Sequence, residues 1–456
     1  MNVSTRLVAA FLLALLAAAP LAAQSARPNI VIFLADDEGY GELGCQGNRE
    51  IPTPHIDSIA AGGIRFTQGY VSGPYCSPTR AGLMTGRYQT RFGHEFNPGP
   101  MRAGTGLPLS ETTIAQRLKA LGYATCCIGK WHLGFDPEYR PMRRGFDEFY
   151  GTLANTPFIK PLRFVDSRVS PDPIEITDPN FYTTDAYAAR AVDWLERHKS
   201  GPFFLYLPFN AQHAPLEATP KYLERFQHIA DEKRRVFAAM MSAKDDAVGR
   251  VLAKLKEIGQ DENTIVWYLT DNGGPTAQTT SKNDPLRGYK STTWEGGVRV
   301  PFMVRWTGKL PAGKVYEHPI IQLDILPTCL AAAGVQAAPE WKLDGVNLLP
   351  YLTGQNADRP HQTLYWRFGE QMAIRHGDYK LLKANDRDAQ PPRLVGPALF
   401  HLARDISEKQ DLAAAEPQKV AELQALWDRW NAEQKPPLWG PGGEDGKAKK
   451  KNKKKA

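Results

Sequence analysis

The chain has 456 residues, of which 42% are apolar and 23% charged, and a formal net charge of +7. These proportions are those of an ordinary globular protein; a disordered, collagen-like or membrane-embedded body does not fit them. Seven lysines crowd between Lys447 and Lys455, and without them 49 basic side chains face 49 acidic ones, so the body is balanced and nothing supports nucleic-acid binding.

The N-terminus carries Arg6, an apolar run over 7–16 and small residues over 17–23, the pattern of a cleaved secretory signal. The run is short for a bilayer span and Pro20 interrupts it, so no stable membrane insertion is expected. The mature protein is expected to be exported, periplasmic or secreted. Next comes the continuous apolar run 30–35, typical of a parallel strand covered on both faces, ending in Asp36-Asp37. A helix is expected over 54–61, stopped by Gly62-Gly63, and a strand over 64–71. Helix 113–121 leads into strand 123–128, helix 182–199 into strand 202–209, and helix 231–258 into strand 264–270. Strand 300–306 and helix 323–333 complete the series.

This alternation predicts an α/β fold: a large, mostly parallel central sheet sandwiched by helices. Ligand sites of such sheets lie beyond the carboxyl ends of the strands, where Asp36-Asp37, His213 and Asp271-Asn272 fall. From about residue 335 the texture shifts to short strands over 363–368, 372–375 and 379–383, then a helix over 417–434. That predicts a small C-terminal antiparallel sheet with one packed helix. The expected organisation is a signal peptide over 1–23, a catalytic α/β domain over 24–335, a subdomain over 336–436 and a disordered Lys-rich tail over 437–456.

Asp36-Asp37 and Asp271-Asn272 are oxygen donors at two separate strand ends. Carboxylates gathered in one pocket require a cation, and donors of this hard type suit calcium, magnesium less well because it demands a regular octahedron. Each pair taken alone is also ordinary turn chemistry. Pro78-Thr79-Arg80 reads as a helix start, whose N-terminus favours an anion at residue 76. Five cysteines form no disulfide framework; Cys126 and Cys127 are neighbours on a strand and face opposite ways, and the redox state of Cys45, Cys126, Cys127 and Cys329 stays open.

The string Cys76-Ser77-Pro78-Thr79-Arg80, continued by Ala81-Gly82-Leu83-Met84-Thr85-Gly86-Arg87, resembles the signature of the type I, formylglycine-dependent sulfatases of the alkaline phosphatase superfamily. Similar pieces follow in the family's order: Leu34-Ala35-Asp36-Asp37, Gly129-Lys130-Trp131-His132, His213-Ala214-Pro215, Thr270-Asp271-Asn272-Gly273, and Lys290 ahead of Glu295-Gly296-Gly297. The stretch from Leu399 to Glu408 is less similar, with His401 and Ile406 where Asp and Pro are usual. Arylsulfatase A-like and N-acetylgalactosamine-6-sulfatase-like members are the nearest in pattern.

The resemblance implies a sulfuric ester hydrolase in which a maturation enzyme oxidises Cys76 to 3-oxoalanine (formylglycine). It implies that Asp36, Asp37, Asp271, Asn272 and residue 76 bind calcium and that Arg80 holds the aldehyde hydrate. Lys130, His213 and Lys290 would grip the sulfate; His132 or a neighbour would act as base and a histidine such as His213 as acid, with the division between the two histidines left open by the sequence. One hydrate hydroxyl attacks sulfur and the other later expels sulfate, a release step that a thiol lacks. Lys130 and His132 share one face if their segment is extended, and Asn155 falls where another substrate-side polar residue is found. Loops 157–180 and 385–397 are expected to form the pocket rim. The expected substrate is a sulfated saccharide; an aryl sulfate, a phosphodiester or phosphonate, or mere binding of sulfated glycans by an unconverted Cys76 are the alternatives. Phosphate-acting relatives generally add histidines to a zinc or manganese site, and here the metal pairs are Asp and Asn.

Overall fold

The apolar run after Pro28 forms β1 (Asn29–Ala35), every residue of it buried. In this computed structural model, which describes residues 27–99, 103–386, 389 and 391–441, ten more strands follow before residue 322. They are β2 (Ile64–Phe66), β3 (Gly69–Tyr70), β4 (Ala124–Lys130), β5 (Glu148–Thr152), β6 (Phe164–Asp166), β7 (Phe203–Pro208), β8 (Thr264–Thr270), β9 (Phe302–Arg305), β10 (Lys314–Tyr316) and β11 (Ile320–Ile321). The expected signal peptide and the lysines of the tail lie outside the described residues.

Nine strands form one sheet in the order β10-β2-β9-β8-β1-β7-β4-β5-β6. Its centre is parallel: β1 pairs with β7 and β8, and β4 with β7 and β5. The flanking strands β9 and β6 run antiparallel to their inner neighbours. The chain over 64–71, expected to be one strand, breaks at Thr67-Gln68; β2 stays in the large sheet and β3 pairs with β11 in a separate two-stranded one.

Seven helices matter here: α1 (Pro54–Ala61), α2 (Cys76–Thr85), α3 (Ile114–Ala120), α4 (Thr183–Arg197), α5 (Glu232–Glu257), α6 (Ile325–Ala332) and α7 (Pro417–Ala432). Alternation along β1 explains their distribution. Val31, Phe33 and Ala35 join a core shared with Ile56 of α1, Trp194 of α4 and Phe237 of α5. Ile30, Ile32 and Leu34 point the other way, into a core with Leu83 of α2, Leu118 of α3 and Leu326 of α6. Both faces are therefore covered, which is why β1 reads as an uninterrupted apolar run. Helix α2 is buried along its whole length.

The C-terminal sheet is antiparallel, in the order β12 (Thr363–Phe368), β13 (Gln371–His376), β14 (Tyr379–Asp386), β15 (Arg393–His401). Trp366, Leu382 and Phe400 pack on Tyr70, Tyr88 and Trp294 of the main body, while Leu423 of α7 packs on Ile374 and Leu399. Two expectations need correction here. The stretch 385–397, expected as a loop at the pocket rim, is largely the distal part of β14 and β15; Gly396-Pro397 sits on the sheet's edge strand, where a missing N–H is tolerated. Residues 437–439, expected to be loose, are pinned: Leu438 N–H donates to Gly93 O at 2.9 Å and Trp439 Nε1 to Phe96 O at 2.9 Å.

Candidate active site

The site forms where β1 and β8 end side by side. Their register pairs Ala35 with Thr270, so Asp36-Asp37 and Asp271-Asn272 emerge together at the carboxyl edge. Asp37 turns with φ 64°, a left-handed conformation that redirects its side chain. The N-terminus of α2 supplies Cys76. One donor atom each from Asp36, Asp37, Cys76 and Asp271 lies within 4.8 Å of the others, and all four residues are buried.

Asn272 completes the group. Its Nδ2 donates to Asp37 Oδ1 at 2.8 Å, whereas its Oδ1 is buried and makes no hydrogen bond. An orphaned oxygen costs free energy unless something satisfies it, and a cation among these oxygens does so. The residues present thus fit a hard divalent ion. The thiol is the one discordant donor, being soft and protonated: burial pushes Cys76 up to about 12, against the pull of Lys130 and Lys290.

Cations surround the acids. Arg80, one turn into α2, donates Nε and Nη2 to Asp271 Oδ2 at 3.0 and 2.8 Å and Nη1 to the Lys130 carbonyl at 2.7 Å. Lys130, the last residue of β4, pairs with Asp36. Lys290 lies 2.7 Å from Asp37 Oδ1, and His213 Nε2 lies 3.6 Å from Asp37 Oδ2. Burial alone would raise both Asp36 and Asp37, but Lys130 holds the first and Lys290 the second below the usual range. Asp271 is pushed up, by burial and by Asp36, despite Arg80. Three carboxylates face three permanent cations, so a divalent ion would leave the site doubly positive and suited to an anionic ester.

The histidines differ. Burial, reinforced by Lys130 and Arg80, drives His132 well below its ordinary value. His213 is also lowered by burial, with Asp37 pulling it back up. Asn155 Nδ2 lies 2.9 Å from His213 Nε2. The expectation that Lys130 and His132 share a face of one extended segment is not met, because His132 has φ 60° and β4 stops at Lys130. Such a conformation is uncommon outside glycine and persists only where neighbours hold it.

A cleft of about 850 Å³ opens onto this group, and Tyr75, Asn155, His213 and Lys290 line its inner end. Its outer wall comes from the chain between Pro275 and Ser291; among the described residues, none of 157–180 or 385–397 lines it. The wall is fixed by backbone contact with the chain just after Asp36-Asp37: a Cβ on Gly39 would stand 2.1 Å from Lys282 O, and Gly41 N–H donates to that oxygen at 3.1 Å. Ser77, His94 and Tyr75 carry no signal in the sequence beyond the place of Ser77 and Tyr75 beside Cys76.

The chain matches the Sulfatase family over residues 28–335 and the N-sulphoglucosamine sulphohydrolase C-terminal family over 289–428. It belongs to the sulfatase family. N-acetylgalactosamine-6-sulfatase of Canis lupus familiaris is 32% identical to it over 91% of this chain and 88% of its own length. Among solved structures, Ps i-CgsB is 32% identical with a TM-score of 0.84, covering 92% of this chain and 96% of its own. The PsFucS1 sulfatase from Pseudoalteromonas sp. is 27% identical with a TM-score of 0.79, covering 95% of each chain. The sulfatase is thus a sulfuric ester hydrolase of the alkaline phosphatase superfamily.

Proposed function

We propose that this sulfatase is exported and desulfates a sulfated saccharide, with Cys76 converted to formylglycine and a calcium ion held by Asp36, Asp37, Asp271, Asn272 and residue 76. The observation that carries this reading is the convergence of three carboxylates, an orphaned amide oxygen and Cys76 on one buried point. Conversion replaces the discordant sulfur with oxygen, which makes the donor set uniformly hard. Calcium contributes a doubly charged centre that offsets the negative charge of the sulfate oxygens. The converted residue contributes a hydroxyl nucleophile whose twin gives a path for release.

The chain's own residues do the rest. Arg80, anchored on Asp271 and the Lys130 carbonyl, holds the head of α2 against the acids. Lys130 and Lys290 offset charge on the sulfate from two sides. His132, kept neutral, accepts the proton of the attacking hydroxyl. His213 keeps Nδ1–H on the Ala214 carbonyl at 2.5 Å, so it protonates the leaving alcohol from Nε2 in its charged form, which the neighbouring Asp37 favours. A cleft of about 850 Å³ matches an oligosaccharide end better than a small aryl group. Ps i-CgsB has been crystallised with k-i-k-neocarrahexaose, which favours the same class.

Mass spectrometry of the peptide containing residue 76 from exported material, paired with sulfate release from defined sulfated saccharides, tests the proposal. An aldehyde or its hydrate together with turnover is expected. A thiol in fully active protein, or undiminished turnover by Cys76→Ala, would refute it.

A further inference from the structure

Burial of a histidine with no place in the mechanism above draws attention to His94, which follows the short turn after α2 and has no exposed surface. Its Nε2 lies 2.6 Å from Ser77 Oγ, and Ser77 Oγ lies 2.6 Å from the His132 carbonyl oxygen. One hydroxyl hydrogen cannot serve both neighbours. The carbonyl only accepts, so the Ser77 hydrogen goes there and His94 Nε2–H donates to Oγ. The Gly106 backbone lies beside the ring without completing a hydrogen bond to Nδ1. Burial lowers the imidazole to about 3, which keeps it neutral and unsuited to proton transfer. Trp439 packs against the ring at 4.8 Å, edge to face, and holds it from behind.

The carbonyl at the end of this relay belongs to the residue with φ 60°. His132 has backbone bonds of its own, its N–H donating to Leu153 O at 3.1 Å, but Ser77 supplies the only side-chain bond to its carbonyl among the described residues. Ser77 also belongs to the first turn of α2, next to Cys76, and its N–H donates to Asn97 Oδ1 at 3.0 Å. A single hydroxyl thus ties the nucleophile's helix to the backbone of the base. The geometry points to His94 as a positioning residue that acts through the Ser77 hydroxyl to fix His132 relative to residue 76. The inference rests on the sulfatase reading, in which His132 takes the proton.

The test compares His94→Gln, His94→Leu and wild type in three measurements: turnover of 4-nitrophenyl sulfate, affinity for inorganic sulfate, and crystal structures of both variants. Glutamine reaches the same point with an amide that either donates or accepts, so it restores the bond; leucine fills space only. The expected result is a fall in kcat of roughly 10–100-fold for His94→Leu, with KM and sulfate affinity unchanged, and His94→Gln within a few-fold of wild type. In the crystals the His132 ring is displaced in the leucine variant and in place in the glutamine one. Equal losses in both variants, no loss in either, or a loss carried by KM overturns the proposal. Wild type inert toward every sulfate ester sinks the sulfatase reading instead, and the position of His132 in the two crystals then decides the claim by itself.

Discussion

Replacing Asn272 by alanine removes an oxygen without a hydrogen-bond partner and a nitrogen that donates to Asp37 at 2.8 Å. Two carboxylates with oxygens 4.8 Å apart, the limit within the acid group, repel by about 3.5 kcal/mol at an effective dielectric constant of 20. A divalent ion relieves that repulsion in the folded state only, so it stabilises the fold. At a hundredfold excess over the dissociation constant the gain is about 2.7 kcal/mol. With about 2 cal/mol/K of unfolding entropy for each of roughly 400 ordered residues, that is about 3 °C in Tm. Losing one donor weakens the ion roughly 10–100-fold, leaving about 0.5–1.7 °C of the response under the same conditions. Differential scanning calorimetry in EDTA and then calcium measures both proteins, and magnesium should give a smaller rise than calcium. A wild-type Tm indifferent to calcium, or an Asn272→Ala protein that responds as strongly as wild type, refutes the assignment of these oxygens to a cation.

Lys290→Ala should act in opposite directions on two ligands. Losing a charge-assisted contact of about 1.5–3 kcal/mol lowers kcat/KM roughly 10–100-fold in steady-state assays, while removing a positive charge 2.7 Å from Asp37 tightens calcium in the calorimetric titration. Glu408 should make stability depend on pH. Burial, with Glu295 adding and Lys380 opposing, pushes it up to about 7. The folded state then binds its proton more tightly than the unfolded chain, so this contribution is fully present below about pH 4.5 and is lost as pH rises through 7. Denaturant titrations between pH 5 and 8 should show a slope of up to about 1.4 kcal/mol per pH unit in wild type that Glu408→Gln removes.

The central architecture was legible because β1, β7 and β8 are buried on both faces and read as unbroken apolar runs. The acids were legible because they abut those runs. Strand β5, Glu148–Thr152, was not: it is short, mixed in polarity and carries Gly151, whose place is explained only by the Gly129 carbonyl, 1.9 Å from where a Cβ would stand. Strand β15 reads as loop because Gly396-Pro397 interrupts it. His94 was invisible for another reason. Its partner Ser77 lies 17 positions away, the His132 carbonyl that Ser77 bonds lies 55 positions from Ser77, and no local pattern announces a bond to a backbone oxygen. The charged seam of Lys380 between Glu295 and Glu408 is equally non-local.

Helix α2 has no solvent-facing residue, and Cys76 at its head is buried, which pushes its thiol up to about 12. An oxidant or a maturation enzyme acting on that sulfur needs the segment in an open, extended form. Under the conversion proposed for Cys76, the chemical change at that position precedes closure of the polypeptide around it.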